Sequence, residues 1–210
     1  MRITEPVAGI VKFEVPFEDI YTAVFAVSVS EGYVLIDAAT TAQDVDRHIL
    51  PALRERGFSA PPAALLLTHA HGDHAGGAPR LHDRFPHMPI LAGEPLRDLP
   101  TGQLTDGAVL LDTLQVLHLP GHSRRSLGFL HLPTDTLISG DCLQQRGVGR
   151  YRRGIGYPQD YLRSIARLRQ LPLRCILASH DYDPLGSVAM GVQAVAQYLS
   201  QCEADCPQNS

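Results

Sequence analysis

The chain has 210 residues, 44% hydrophobic and 19% charged, with a formal net charge of -4 and no tryptophan. That size and apolar content suit one domain with a substantial core, set here at residues 1–200 with a disordered tail at 201–210. The mild acidity gives no footprint for nucleic acid or an anionic membrane, no run approaches the roughly 20 apolar residues of a membrane span, and Met1–Pro6 has no apolar stretch suited to a signal peptide. The expected location is therefore the cytoplasm. Cys142, Cys175, Cys202 and Cys206 make no disulfide framework in a domain of this kind. Cys202 and Cys206, spaced i, i+4, are too few for a metal site. The sequence leaves the oligomeric state open.

In chain order, Val7–Val15, Thr22–Ser30 and Tyr33–Asp37 read as a three-stranded meander, the second of them mostly apolar and β-branched. Thr41–Arg56 reads as a helix with Val45, Ile49, Ala52 and Leu53 on one face, kinked or split at Pro51 and stopped at Gly57. Ala63–Leu67 is a short buried strand, Ala78–Phe85 a helix and Met88–Ala92 another strand. Arg97–Gly107 reads as a polar loop. Strands follow at Val109–Leu111, Leu114–Leu119, Leu127–Leu130, Thr136–Ser139 and Arg174–Ala178. A helix at Pro158–Gln170 starts with proline near its first position, and a closing helix is expected over Pro184–Ser200. His48, His82 and His87 read as surface residues and His118 as a satisfied strand residue.

The stretch Thr68-His69-Ala70-His71-Gly72-Asp73-His74 holds three histidines and an aspartate. It lies where the apolar strand Ala63–Leu67 ends and a helix begins. His69 and His71, two apart in extended chain, point the same way. Asp73 and His74 enter the first helical turn and face a slightly different point. One loop can therefore serve two adjacent metal ions, and imidazole nitrogen with carboxylate oxygen suits zinc, with iron or manganese also compatible. Asp37, His122, Asp141 and His180 each stand at or just beyond the end of a predicted strand, as a shared site at one sheet edge requires. Asp37 ends an apolar strand, either as a cap or turn residue or as a carboxylate that orients a metal-bound histidine.

His69-x-His71-x-Asp73-His74, with Leu35-Ile36-Asp37 before it and Pro120-Gly121-His122-Ser123, Ser139-Gly140-Asp141 and Ser179-His180 after it, resembles the metallo-β-lactamase superfamily of metal-dependent hydrolases. The resemblance runs from about Val11 to His180. It implies an α/β fold, the four-layer αββα sandwich, with the site at one edge between two sheets. It gives His69, His71 and His122 to a first metal, Asp73, His74 and His180 to a second, and makes Asp141 the bridge. It implies two zinc ions per chain, or iron or manganese in their place, roughly 3.5–4 Å apart. A water held between them attacks a carbonyl of a small-molecule substrate, so Asp73 and Asp141 count as catalytic. It favours the metal-orienting role for Asp37.

Several features narrow or complicate that reading. Ala70 stands where diiron flavoproteins of the superfamily carry glutamate. The chain ends about 30 residues beyond His180, short of the helical domain that glyoxalase II adds, and the large insertion of RNA-cleaving members is absent. Ala178-Ser179-His180-Asp181-Tyr182 is similar to the family's persulfide dioxygenases, which use a single iron, so that oxidoreductase activity is the alternative. A non-catalytic ligand-binding member is a third. Gln144–Pro158 carries Arg146, Arg150, Arg152 and Arg153 among glycines with no acidic residue. It reads either as a solvated loop or as a mobile lid that brings guanidinium groups to an anionic substrate.

Overall fold

The computed structural model describes residues 1–152 and 154–207. The chain divides into two compact units, Met1–Leu104 and Thr105–Ser210, each built on its own large sheet. The mixed α/β class agrees with the sequence reading.

The first unit has a seven-stranded sheet. Its strands are β1 (Arg2–Val7), β2 (Ile10–Phe17), β3 (Ile20–Val29), β4 (Gly32–Ile36), β5 (Leu65–Leu66), β6 (Ile90–Ala92) and β7 (Thr101–Gln103), adjacent in chain order. Two-residue turns join β1 to β4, so these strands pair antiparallel. From β4 to β7 the pairing is parallel. β7 lies within the stretch read as loop. It is a short, largely exposed edge strand with polar residues, so it carries no hydrophobic alternation to betray it.

The β4–β5 connection is one helical run: α1 (Ala42–Asp44), a π segment (Val45–Ile49) and α2 (Leu50–Glu55). Thr41 opens it with a capping box, since its Oγ1 accepts from Asp44 N and Asp44 Oδ2 accepts from Thr41 N. The sequence predicts a kink or split at Pro51. Instead the turn before it widens, and Leu50 N–H donates to Val45 O, five residues back. The buried face presents Val45, Ile49, Leu50, Ala52 and Leu53 to the core. After β5 come two short helices, α3 (Gly72–Ala75) and α4 (Ala78–Arg84).

The second unit has six main strands: β8 (Val109–Leu110), β9 (Leu114–His118), β10 (Leu127–His131), β11 (Thr136–Gly140), β14 (Cys175–Ala178) and β15 (Val188–Met190), in spatial order β15-β14-β11-β10-β9-β8. A separate hairpin joins β12 (Gly147–Val148) to β13 (Tyr151–Arg152). Among the described residues of this unit only β11 and β14 pair in parallel, through the crossover helix α5 (Pro158–Leu168). The buried face of α5 is Tyr161, Ser164, Ile165 and Leu168, an i, i+3, i+4, i+7 stripe, while Leu162 is 40% exposed.

The chain's end differs from expectation. Val188, Val192, Val195 and Leu199 mimic a helical face from Pro184. In the structure Val188–Met190 is a strand with Ala189 inward, and Gly191, at φ +91°, breaks it before helix α6 (Val192–Ala204) begins. Helix therefore replaces the expected tail over residues 201–204. Cys202 and Cys206 are both buried, and residues 208–210 lie outside the described part. Among the described residues no helix is long and apolar enough to cross a membrane.

Candidate metal centre

In the first unit the candidate donors gather at the C-terminal ends of the parallel strands β4 and β5. Leu35 pairs with Leu65 and Ile36 with Leu66, so Asp37 and Thr68 emerge side by side. Leu65, Leu66 and Leu67 are at most 1% exposed; burying each contributes about 2 kcal/mol and fixes the base of the loop. Asp37 is fully buried and takes a left-handed φ of +63°, which aspartate tolerates better than most residues. Its carboxylate accepts from Thr68 N at 2.8 Å, from Thr68 Oγ1 at 2.9 Å and from His74 Nδ1 at 2.8 Å. A carboxylate only accepts, so His74 carries its proton on Nδ1 and turns the lone pair of Nε2 the other way. That Nε2 lies 3.4 Å from Asp73 Oδ2.

Thr68 extends the effect to a second ring. Its hydroxyl donates to Asp37 and stands 3.0 Å from His69 Nδ1. It can accept from a protonated Nδ1, which again leaves Nε2 as the lone-pair nitrogen. His69 Nε2 is 3.1 Å from His71 Nδ1. Two nitrogens on one tetrahedral zinc stand about 3.3 Å apart, given Zn–N distances of about 2.0–2.1 Å. The pair therefore fits such an ion. His71 caps α3 in extended conformation, at φ -67° and ψ 151°, as the two-residue spacing required.

The turn into α4 closes this unit's site from behind. Ala38 N–H donates to His74 O at 2.7 Å and Gly77 N–H to Ala39 O at 3.1 Å. A Cβ on Gly76 would lie 1.9 Å from Thr40 O, and one on Gly77 2.0 Å from Ala38 O, so both positions require glycine.

In the second unit β9, β11 and β14 all run the same way, since β9 and β11 are each antiparallel to β10 and β14 is parallel to β11. Their C-terminal ends deliver His122, Asp141 and His180 to one edge. A register shift between Ile138 and Gly140 turns the chain just before Asp141. Asp141 Oδ1 lies 3.4 Å from His180 Nε2 and its Oδ2 lies 3.7 Å from His122 Nε2. Each carboxylate oxygen thus has an imidazole nitrogen beside it. Asp141 is 8% and His180 4% exposed.

Helix α5 braces the His122 loop. Ser164 Oγ donates to Pro120 O at 2.7 Å and Tyr157 N–H to Gly121 O at 2.8 Å. Gly121 sits at φ +148° with Tyr161 Cα 2.7 Å from where a Cβ would be. His122 Nδ1 lies 2.6 Å from Gly154 O. A carbonyl only accepts, so donation to it needs the proton on Nδ1 and leaves the lone pair on Nε2. Within each unit, then, imidazole nitrogens and carboxylate oxygens converge, a donor set suited to a divalent zinc, iron or manganese ion.

The arginines behave differently. Gln144–Pro158 contains the β12–β13 hairpin, fastened by Arg146 N–H to Asp183 O at 3.0 Å and Asp183 N–H to Gly147 O at 2.9 Å. Gln144 N–H donates to the Tyr161 hydroxyl at 3.0 Å, and burial holds that hydroxyl's pKa well above its ordinary 10.0. Arg146 Nε is 3.6 Å from Asp205 Oδ1. Arg150 donates to Tyr151 OH at 3.1 Å and covers its ring at 5.2 Å. Arg152 is exposed on β13, and Arg153 lies outside the described residues. His118 Nε2 is 2.8 Å from Arg124 O, a satisfied strand residue as expected. Sequence reasoning missed Thr68, Gln144 and Gly154 as supports. Thr68 could have been suspected from its place before His69; the other two act across distances no local pattern encodes.

The sequence profile of the metallo-β-lactamase superfamily matches residues 18–103. The chain is 36% identical over 138 residues to a hydroxyacylglutathione hydrolase of Xylella fastidiosa, covering 63% of this chain and 52% of that protein. It is 34% identical over 170 residues to one from Stenotrophomonas maltophilia, covering 77% and 64%. The chain thus spans about half to two thirds of the length of these two relatives. Among solved structures, TTHA1623 in a di-iron-bound form is 30% identical with a TM-score of 0.65, over 80% of this chain and 91% of that one. The metallo-β-lactamase family protein TTHA1429 from Thermus thermophilus shares the fold at 19% identity, with a TM-score of 0.75 over 95% of this chain and 80% of that one. Matched in profile, in relatives and in fold, the chain belongs to the metallo-β-lactamase superfamily.

Proposed function

We propose that this protein is a metal-dependent hydrolase that cleaves a thioester or ester bond in a small, anionic substrate. In this reading the chain holds two divalent ions. His69, His71 and His122 serve the first, Asp73, His74 and His180 the second, and Asp141 both. The observation that carries it is the buried Asp37 carboxylate, which fixes His74 directly and His69 through Thr68, with Nε2 of each ring turned away from that support. A buried charge spent on orienting two imidazoles is the outer support that metal-binding histidines need. The hydroxyacylglutathione hydrolase relatives make a thioester the leading substrate class. Zinc is the first candidate metal; the di-iron form of TTHA1623 makes iron the second.

When bound, such ions polarise the scissile carbonyl and lower the pKa of water. The chain's own residues do the rest. Asp37 and Thr68 fix the tautomer and aim of two imidazoles, Asp73 orients the attacking water through its half-buried carboxylate, and Arg150 and Arg152 on the hairpin meet the substrate's negative charge.

The test is metal analysis of the purified protein beside thioester, lactone, phosphodiester and persulfide substrates. About two metal ions per chain, thioesterase activity, and loss of roughly one ion and most activity in Asp73→Ala are expected. One iron per chain, oxygen uptake with a persulfide and unchanged iron in Asp73→Ala would establish the dioxygenase reading instead.

A further inference from the structure

The second unit contains a contact that the ligand assignment does not use. Gln144 is 3% exposed, and its side chain is held at both ends. Its Oε1 accepts a short hydrogen bond from Gly154 N–H, and its Nε2 stands 2.8 Å from His122 Nδ1. Its backbone N–H is tied to the buried Tyr161 hydroxyl. Gly154 in turn places its carbonyl 2.6 Å from the same Nδ1. Among the described residues, His122 Nδ1 therefore faces neighbours of opposite kind, a carbonyl that can only accept and an amide NH2 that can only donate.

The two neighbours choose different tautomers. Donation from Nδ1 to Gly154 O leaves Nε2 with the lone pair a metal needs. Acceptance from Gln144 Nε2 puts the ring proton on Nε2 and removes that ligand. The Gly154 carbonyl is aimed at the ring because Gln144 Oε1 grips the amide of the same residue. One end of the side chain thus aims the acceptor while the other end crowds it.

We infer that Gln144 is a positioning residue that sets the tautomer and orientation of His122 through Gly154, and thereby its affinity for metal. The inference rests on the proposed reading of His122 as a metal ligand. It yields an order among variants. Leucine at 144 fills similar volume but releases Gly154 and leaves its N–H without that acceptor. Glutamate keeps the acceptor for Gly154 N–H and also accepts from Nδ1–H, so it satisfies both contacts at once. Carboxylates in this role raise the basicity of a ligating imidazole.

The experiment is a competition titration of Zn²⁺ against a chromophoric chelator, with the visible spectrum of the Co²⁺-loaded protein as a second readout. Wild type, Gln144→Leu, Gln144→Glu and His122→Ala are compared, and melting temperatures of the metal-free proteins check folding. Gln144→Leu should weaken the ion held by His122 by about 10-fold, the lower end of what loss of such a support costs. It should also shift the Co²⁺ bands. Gln144→Glu should bind at least as tightly as wild type and restore the bands, which a merely structural role for the side chain would not produce. Equal affinity in wild type and Gln144→Leu, or a Gln144→Glu protein as weak as Gln144→Leu, overturns the inference. If His122→Ala keeps every ion of the wild type, the ligand reading itself fails, and that failure is distinguishable because it appears without any change at Gln144.

Discussion

Asp37→Asn isolates the electrostatic part of the first unit's site from its shape. Asparagine matches aspartate in volume and tolerates the left-handed φ of +63°, so the backbone keeps its path. What changes is one acceptor. Asp37 Oδ1 takes Thr68 N–H and Oδ2 takes His74 Nδ1–H, each at 2.8 Å. An amide offers one oxygen and one NH2 group. With the oxygen kept on Thr68 N–H, the NH2 faces His74 Nδ1, forces that nitrogen to accept and drives the ring proton to Nε2. With the amide turned round, NH2 meets N–H at Thr68. In the first case the His74 contact survives only with its direction reversed, so His74 cannot ligate; in the second the Thr68 contact is lost. Loss of such a partner costs about 10–100-fold in metal affinity, equivalent to about 1.4–2.8 kcal/mol. Asp37→Ala should act differently. It leaves the buried Thr68 N–H unsatisfied at about 1–3 kcal/mol and adds about 1 kcal/mol for alanine in left-handed backbone. The asparagine variant should therefore melt near wild type without metal yet hold Zn²⁺ less tightly in a chelator competition, whereas the alanine variant should lose several degrees in the metal-free state. An asparagine variant that binds Zn²⁺ as tightly as wild type would refute the tautomer argument.

Arg150→Gln should raise KM for an anionic thioester several-fold more than for a neutral one; equal effects on both would leave the arginine as a solvated hairpin residue. His131 is buried with Nδ1 2.7 Å from Thr134 Oγ1, and burial lowers its pKa from the ordinary 6.5. Its contribution to stability is complete above pH 6.5, where both folded and unfolded forms are neutral. It is lost as pH falls from 6.5 towards the lower folded value, because the unfolded chain takes up the proton first. His131→Gln should therefore reduce the fall in Tm across that window, and an unchanged slope refutes the assignment. The Cys175 and Cys202 thiols are pushed up to about 11 by burial. Native protein at pH 8 should leave both unalkylated by iodoacetamide until denaturant is added, as peptide mapping can read; labelling in the native state at the denatured rate would contradict their burial.

The candidate donors stand out in the sequence because they sit locally. Four fall within residues 69–74, and the others stand at or just beyond the ends of apolar runs, where a short loop leaves few alternative placements. The mixed α/β class follows from the same runs, since strand-length apolar segments alternate with amphipathic ones, while the four-layer sandwich is what the resemblance implies. Elements whose signal is not hydrophobic escape such a reading. Strand β7 is polar and exposed, and the Val188–Met190 strand shares its valine spacing with the helix after it, so only Gly191 separates them. Pro51 does disturb its helix, but through a π turn, a third outcome besides kink and break. The supports are unevenly legible. Asp37 is marked by its place at the end of an apolar strand and by the resemblance, 37 residues from His74, whereas nothing marks Gln144, 22 residues from His122.

That division has a physical reason. A metal ligand must reach a point in space, and a strand end or a helical turn fixes that point with a few neighbouring residues. A support must reach a ligand's far nitrogen, which faces away from the loop that carries it and toward whatever the fold packs behind. In the first unit that partner is a charged carboxylate on a neighbouring strand end, which donates nothing and so permits one tautomer. In the second it is a carbonyl contested by a neutral amide, which permits two. The motif can look complete for both histidines while their readiness to ligate differs, because readiness is decided by what stands behind each ring. His74 should accordingly be the less tunable of the two by substitution at uncharged neighbours, and His122 the more.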